Sequence, residues 1–451
     1  MSSELSEIAA RIVDRARGDE DLEAFLTHQK TFSVKAYQGE AETVESAEPR
    51  GTGVRVFNGG RVGFSYTTDL TDAGLDDVVE QARANAQHST PDEAAIPAPA
   101  WVTAPSDVPG TFDASHRDTS AQDKVAFAIE LETTTRAADP RIRTVEEAVY
   151  ADSESEVAIA TTKGIAGSYV QTDAWCYSYA IATEGDDTQV GLEFDVARAL
   201  SGLDAHRVAE SAARRAAQGL GGEKIPSARM PVVFEPYTAG QFLGVVAQAL
   251  IGEAVQKGRS LFAGKLGEKV GAQGLTLIDD GRIEGALGST PWDGEGVPTG
   301  RTEIISDGVL RSFLYDVSSG HREGRASTGN ASRAGFKSPP SASPTNLAFD
   351  PTGPTRDDVL RSAGRALLVT DFHGVHSGAN AVSGDFSVGA TGFLVEDGVI
   401  GQPVKEVTIA APMLDILARI TAVADDRRWL PFGGSFGGAT TLVSEMTVGG
   451  R

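Results

Sequence analysis

Glycine constrains this chain more than any other residue. There are 51 glycines in 451 residues, and a residue without a Cβ supplies the positive-φ positions of tight turns. A chain punctuated so often is expected to fold with much β-structure. Asn58-Gly59-Gly60 separates Val54 and Val56 from Val62, Phe64 and Tyr66, and Asp307-Gly308 and Asp397-Gly398 also sit between apolar runs. All three read as hairpin turns.

Helical periodicity interrupts the strands. Leu5, Ile8, Ala9, Ile12, Val13 and Ala16 share one helix face, with Ser2 or Ser3 as a plausible cap. Further helices are expected near 71–88, 119–138, 204–218 and 237–257. Strand-like runs include Phe32/Val34/Ala36, 145–150, 156–162 and 169–182. Five prolines between 89 and 118 (Pro91, Pro97, Pro99, Pro105, Pro109) mark a loop or linker, and 219–230 reads as a joint. The expected class is therefore α+β: N-terminal and central α/β units at 1–110 and 111–225, then a β-dominated C-terminal domain at 226–451 with a long helix.

Charge and cysteine usage exclude several roles. The formal net charge of −23 repels phosphate backbones, which disfavours nucleic-acid binding. The lone cysteine, Cys176, rules out an internal disulfide or a multi-cysteine metal site; it reads as a small buried hydrophobe. The first residues show no basic stretch leading into an apolar one, and the most apolar window, 242–251, is too short to cross a bilayer. A cytoplasmic protein without membrane contact is expected.

Most catalytic signatures are missing. His373 and His376 lie in a Gly-rich turn, where a solvated loop is a better reading than a metal site. Gly433-Gly-Ser-Phe-Gly437 has the spacing of a nucleophile elbow, but Pro431 precedes it and no helix start follows. No phosphate-binding glycine loop is convincing. Two segments stand out. In 321–337, Arg322, Arg325, Arg333 and Lys337 oppose the single acid Glu323, interleaved with Ser327, Thr328, Asn330 and Ser332. Such donors suit a carboxylate or a peptide backbone, and a mobile polar loop is an equal alternative. In the second, Asp385 stands between Gly384 and Phe386, either capping a turn or orienting a ligand.

These segments also carry a resemblance. Ser327-Thr-Gly-Asn-Ala-Ser-Arg333, Ser383-Gly-Asp-Phe-Ser-Val-Gly-Ala-Thr-Gly-Phe-Leu-Val-Glu-Asp-Gly398 and Pro403-Val-Lys-Glu-Val-Thr-Ile-Ala410 resemble the TldD/TldE (PmbA) family. So do Gly53-Val-Arg-Val-Phe57, Gly63-Phe-Ser-Tyr-Thr-Thr68 and Pro226-Ser-Ala-Arg-Met-Pro-Val-Val-Phe-Glu235, so that the likeness spans nearly the whole chain. The resemblance implies a cytoplasmic metalloprotease component, historically a modulator of DNA gyrase, that works as a heterodimer on unstructured peptides. In that family the TldD-type partner holds zinc or iron through His-Glu-x-x-x-His on a helix and a later Cys, and the TldE/PmbA-type partner lacks both. An ungapped match places the motif over Gly244-Val-Val-Ala-Gln-Ala249, so that Gly244, Val245 and Ala249 stand where histidine, glutamate and histidine would, and 433–438 offers no cysteine.

The expectation is a subunit that binds no metal itself and completes the peptide cleft of a metal-bearing TldD-like partner. Arg325, Ser327, Thr328, Asn330, Arg333, Asp385 and Ser387 are its candidate contacts with peptide or partner, and no catalytic residue is assigned. Two rivals remain. One is a self-contained hydrolase using the 371–376 turn with Asp385. The other is a peptide-binding homodimer without protease activity.

Overall fold

The computed structural model describes residues 3–430 and 434–451. Ser2, Pro431 and Gly433 lie outside the described residues. The first seven strands are β1 (Asp21–Tyr37), β2 (Glu40–Ala47), β3 (Arg50–Asn58), β4 (Arg61–Thr67), β5 (Ile142–Thr161), β6 (Ala166–Glu184) and β7 (Asp187–Ala197). They form one antiparallel sheet in the order β4-β3-β1-β5-β6-β7, with β2 paired to the far end of β1. The sheet runs unbroken across residue 110, because β1 pairs with β5 from Glu23↔Thr161 to Ala36↔Ala148.

Four helices, α1 (Glu4–Val13), α2 (Asp72–His88), α3 (Ala121–Ala137) and α4 (Ala205–Gly219), cover one face of this sheet. Each starts where a side-chain oxygen can accept an orphan backbone N–H: Ser3, Thr71, Ser120 and Asp204 are the caps. Alternation along the strands then divides the side chains. Leu22, Ala24 and Leu26 pack against Leu5, Ile8, Leu75 and Val79 under α1 and α2. Phe25, Val157 and Ile159 point the other way, to Trp292 and Val317 of the C-terminal half.

That half begins with β8 (Ala228–Phe234), α5 (Pro236–Ala249) and α6 (Gly252–Gln256). It continues through β9 (Leu277–Asp280), β10 (Arg301–Ser306), β11 (Val309–Leu310), β12 (Ala331–Ser332), β13 (Ser341–Ala342) and β14 (Asn346–Phe349). The last strands are β15 (Arg365–His373), β16 (Asp385–Glu396), β17 (Val399–Pro412), β18 (Ile420–Val423), β19 (Arg428–Leu430), β20 (Ser435–Gly438) and β21 (Thr441–Gly449). Strands β12 and β13 pair with each other, and the others build two six-stranded sheets, β17-β16-β15-β8-β21-β18 and β11-β10-β9-β14-β20-β19. Helix α5 lies between them, its Phe242, Leu243 and Val246 sharing a core with Phe234, Phe372 and Phe386 on one side and Leu277, Leu347 and Phe436 on the other. The architecture is the expected mixed α/β fold with a β-dominated C-terminal region. No helix among the described residues is long and apolar enough to cross a membrane.

The hairpins form where expected. Gly59 and Gly60 have φ of 56° and 71°, and Asp307-Gly308 and Asp397-Gly398 turn with all four φ positive, as two-residue hairpin turns require. Two expectations need correction. The helix expected over 237–257 stops at Ala249, because the Gly252 N–H donates to the Leu314 carbonyl (2.8 Å) and the Leu314 N–H to that of Leu250 (2.9 Å). Gly252 also abuts the Tyr315 ring so closely that a Cβ would collide with it. The runs 145–150 and 156–162 are parts of one strand, β5. Its polar middle is kept inside by pairing: Asp152 is buried and accepts from Lys124 (2.6 Å) and Tyr150 (2.5 Å).

Candidate functional site

The clearest concavity near the singled-out residues is a cavity of about 470 Å³ between the N-terminal sheet and the C-terminal half. Its floor is the helix-free face of the sheet. There Thr27, Val157 and Tyr169 form one row across β1, β5 and β6, and Gln29, Ser155 and Gln171 form the next. Its roof is made by loops carrying Trp292, Gly294, Asn330 to Gly335, and Thr345.

Behind the lining, which it reaches at Arg333 and Asp293, lies a buried charge cluster. Arg55 donates to both carboxylate oxygens of Glu23 (2.8 and 2.5 Å) and to Glu295 (2.9 Å). Arg333 reaches across from the C-terminal half to pair with Glu23, its guanidinium 4.6 Å from the Phe25 ring centre. Burial alone would raise the pKa of Glu23; the charges of Arg55 and Arg333 outweigh it, and the net shift is downward. For Arg333 burial dominates and lowers the pKa to about 10 against the pull of Glu23, which leaves it charged at neutral pH. Beside them Asp293 accepts from the backbone N–H groups of Glu295, Val297 and Ala331, each at 2.9 Å. Burial, then the neighbouring Glu295 charge, still pushes its carboxyl far up. Behind the roof, burial raises Asp279 to about 6 although Asn330 and Thr345 donate to it.

The sequence-predicted contacts divide. Asn330 and Arg333 both line the cavity. Ser327 and Thr328 are engaged locally, each hydroxyl donating to the Tyr315 carbonyl (3.0 and 3.1 Å). Arg325 is exposed, 3.9 Å from Glu323. Arg322 pairs with Asp92 and Lys337 sits over the Phe336 ring. Asp385 and Ser387 are exposed at the start of β16, where Asp385 accepts from Ser383 (2.6 Å). Glu23, Arg55, Asp293 and Glu295 were not anticipated. For Glu23 and Arg55 the sequence signal is a single charge inside an apolar run, Leu22-Glu-Ala-Phe-Leu26 and Val54-Arg-Val56; Asp293-Gly-Glu295 lies in a Gly-rich stretch without such a signal.

The expected metal positions are filled with hydrocarbon. Val245 and Ala249 are buried in the C-terminal core. The Phe436 ring stands 3.4 Å from where a Gly244 Cβ would be. None of these side chains has a lone pair, so the residues present on α5 do not fit a metal ion. Elsewhere, among the described residues, no three His, Cys, Asp or Glu side chains gather as a metal site. His373 ends β15 with its Nδ1 3.9 Å from Asp371, and His376 is exposed on the short helix Val375–Gly378. Cys176 is buried, which pushes its thiol up to about 12. Ser435 donates to Asn346 at 2.7 Å rather than to a base.

Comparison with known proteins places this geometry. The signatures of the PmbA/TldA metallopeptidase C-terminal domain, domain 1 and central domain match residues 227–450, 22–86 and 115–220. The chain is 30% identical over 407 residues to a metalloprotease PmbA homolog of Haemophilus influenzae, covering 90% of this chain and 87% of that one. It is 28% identical to the metalloprotease PmbA of Escherichia coli O157:H7, over 99% of this chain and 96% of that one. A crystal structure of a candidate modulator of a DNA gyrase from Thermotoga maritima superposes with a TM-score of 0.89 at 26% identity, covering 98% of this chain and 99% of that one. The fold is shared with TldE of Thermococcus kodakarensis, at TM-score 0.85, 21% identity and 99% coverage of each chain.

Proposed function

Given that this chain belongs to the PmbA/TldA metallopeptidase family, we propose that it is the subunit of a two-chain cytoplasmic peptidase that binds no metal itself. Its partner is a TldD-like chain bearing zinc or iron, and their common substrates are unstructured peptides. This chain completes the cleft and holds the peptide. Positioning alone lowers a barrier substantially, because it replaces a bimolecular encounter by a fixed geometry.

The observation that carries this reading is α5. Gly244, Val245 and Ala249, over which the ungapped match sets the family's metal motif, are packed against Phe436 and the core. Helix, packing and residue chemistry are consistent with a chain that keeps the fold and has given up the reacting centre.

The test mixes the purified chain with a TldD-like chain from the same source. The expected result is co-elution on size exclusion and cleavage of an unfolded peptide by the mixture only, stopped by a chelator. Stoichiometric metal together with robust cleavage by the isolated chain would falsify the proposal. Failure to co-elute would favour a peptide-binding homodimer instead.

A further inference from the structure

A second cavity, of about 680 Å³, opens where α4 and β7 meet the C-terminal half, and its lining reverses the sign of the molecule. The chain carries 63 acids against 40 bases, yet five arginines and three carboxylates line this space. Arg207, Ser211, Arg214 and Arg215 face it from α4, where spacings of three and four residues set side chains on one side of a helix. Arg428 comes from β19 and Arg356 from the helix Arg356–Ser362. The carboxylates do not match them one for one. Glu193 is shared by Arg428 (2.5 Å), Arg215 (3.3 Å) and Arg207 (3.8 Å), and Glu235 by Arg215 (2.8 Å) and Arg356 (3.3 Å). Asp426 turns away, accepting from the Thr440 N–H (2.8 Å) and hydroxyl (2.6 Å). Outside the lining, Arg207 also pairs with Asp195 (2.8 Å), and Arg356 lies 4.0 Å from the exposed Asp357. Arg214 has no carboxylate partner among the described residues and donates to the Ser211 hydroxyl (2.8 Å). The acids are the buried members. The Glu193 and Glu235 side chains are 5% and 10% exposed, whereas Arg207, Arg356 and Arg428 keep 39%, 35% and 31%. An entering molecule therefore meets guanidinium.

We propose that this cavity binds a compact multivalent oxyanion of two linked phosphoryl groups, free or as the diphosphate end of a nucleotide. Each guanidinium offers five N–H donors in a planar fork, and the two shared carboxylates use only part of them. A carboxylate is flat and engages one or two forks. Phosphoryl oxygens point in three dimensions and carry more charge, which suits forks arriving from α4, β19 and the helix Arg356–Ser362. The recess reconciles such a site with a net charge of −23: a cleft lined by one sign focuses its field on a small ion, while a phosphate polymer meets the acidic surface around it. The site shares no described lining residue with the 470 Å³ cavity. Because its arginines come from both halves, the bound anion clamps the joint.

The experiment titrates the isolated full-length chain with inorganic pyrophosphate, ADP and citrate at physiological salt without divalent cations, followed by calorimetry and thermal melting. Saturable one-site binding of pyrophosphate or ADP is expected, with a rise in melting temperature, because a ligand held only by the folded state stabilises it. The tighter of the two identifies the source, free ion or nucleotide. Arg214→Gln breaks no ion pair and weakens binding by about tenfold to hundredfold, the worth of one charge-assisted hydrogen bond. Arg356→Gln does the same from the other half. Arg17→Gln, beside Glu80 of α2 at the opposite edge of the sheet, makes the same change in net charge and leaves the affinity unaltered. An unchanged melting temperature without ligand certifies the fold of each variant, and Arg214→Gln decides alone if Arg356→Gln loosens the joint. Absence of saturable binding by the folded parent, citrate bound as tightly as pyrophosphate and ADP, or parental affinity in folded Arg214→Gln overturns the proposal and leaves the arginines as ties between the halves.

Discussion

Glu23 is the side chain on which the contact between the two halves turns. It is fully buried, and two arginines from different parts of the chain converge on it. Removing one partner of a buried ion pair leaves the others charged and desolvated, at about 3–5 kcal/mol. Glu23→Gln is therefore expected to lower stability by that order in urea melts at neutral pH, with larger loss than Glu23→Gln combined with Arg333→Met. Its folded pKa is depressed, so its contribution is present above the unfolded value of 4.5 and disappears as pH falls through the lower folded one. Asp279 has the opposite sign. Its pKa rises from 3.8 to about 6, so its stabilising effect is complete below pH 3.8 and is lost as pH climbs through about 6. Asp279→Asn should flatten the dependence of melting temperature on pH between about 4 and 6. The charges themselves were visible as lone Glu and Arg in apolar runs. Their partners were not, since Arg55 and Glu295 are 240 residues apart and no local pattern encodes a pairing at that distance.

At the scale of elements, turns were the most legible feature and the ends of long elements the least. Asn58-Gly59-Gly60 and both Asp-Gly pairs announce their hairpins because only a few residue types accept those φ values. The apolar periodicity said one helix through residue 257, whereas the chain breaks at 250–251 to pair with Leu314 and resumes as α6; a tertiary hydrogen bond overrode a local preference. The vacancy at Gly244, Val245 and Ala249 was readable as residue types, but the Phe436 ring that faces Gly244 was not. The close seat of α5 on β20 depends on Gly438, where a Cβ would overlap the Pro236 carbonyl oxygen and the Gly240 nitrogen. Gly438→Ala has to push helix and strand apart, and overpacking of this kind costs about 1–3 kcal/mol. Urea denaturation should show that loss; a neutral substitution would mean that α5 is free to shift.

Across the whole molecule, the two halves are joined by more than the cavity wall. Glu193 accepts from Arg428 (2.5 Å), Arg215 donates to Glu235 (2.8 Å), Lys405 reaches Asp187 (2.7 Å), and Arg198 donates to the carbonyls of Gly285 (3.1 Å) and Ala286. Separating the halves would also expose the apolar contact of Phe25, Val157 and Ile159 with Trp292 and Val317 to water, which makes partial unfolding costly. The chain should consequently melt in one transition, with calorimetric and van't Hoff enthalpies equal; two resolved peaks would show that each half stands alone. The mixed α/β class was legible from turn density and periodicity. The position of the cavity was not, because it arises only when a sheet face from residues 25–171 meets loops from 288–345.

Strand β2 is exposed along all eight residues and pairs only with β1 among the described residues. An open ribbon of that kind ordinarily invites endless stacking of identical molecules. Glu40, Glu42 and Glu45 lie along it, so a twin approaching edge to edge meets like charge. The rim thereby disfavours open-ended stacking against its own kind.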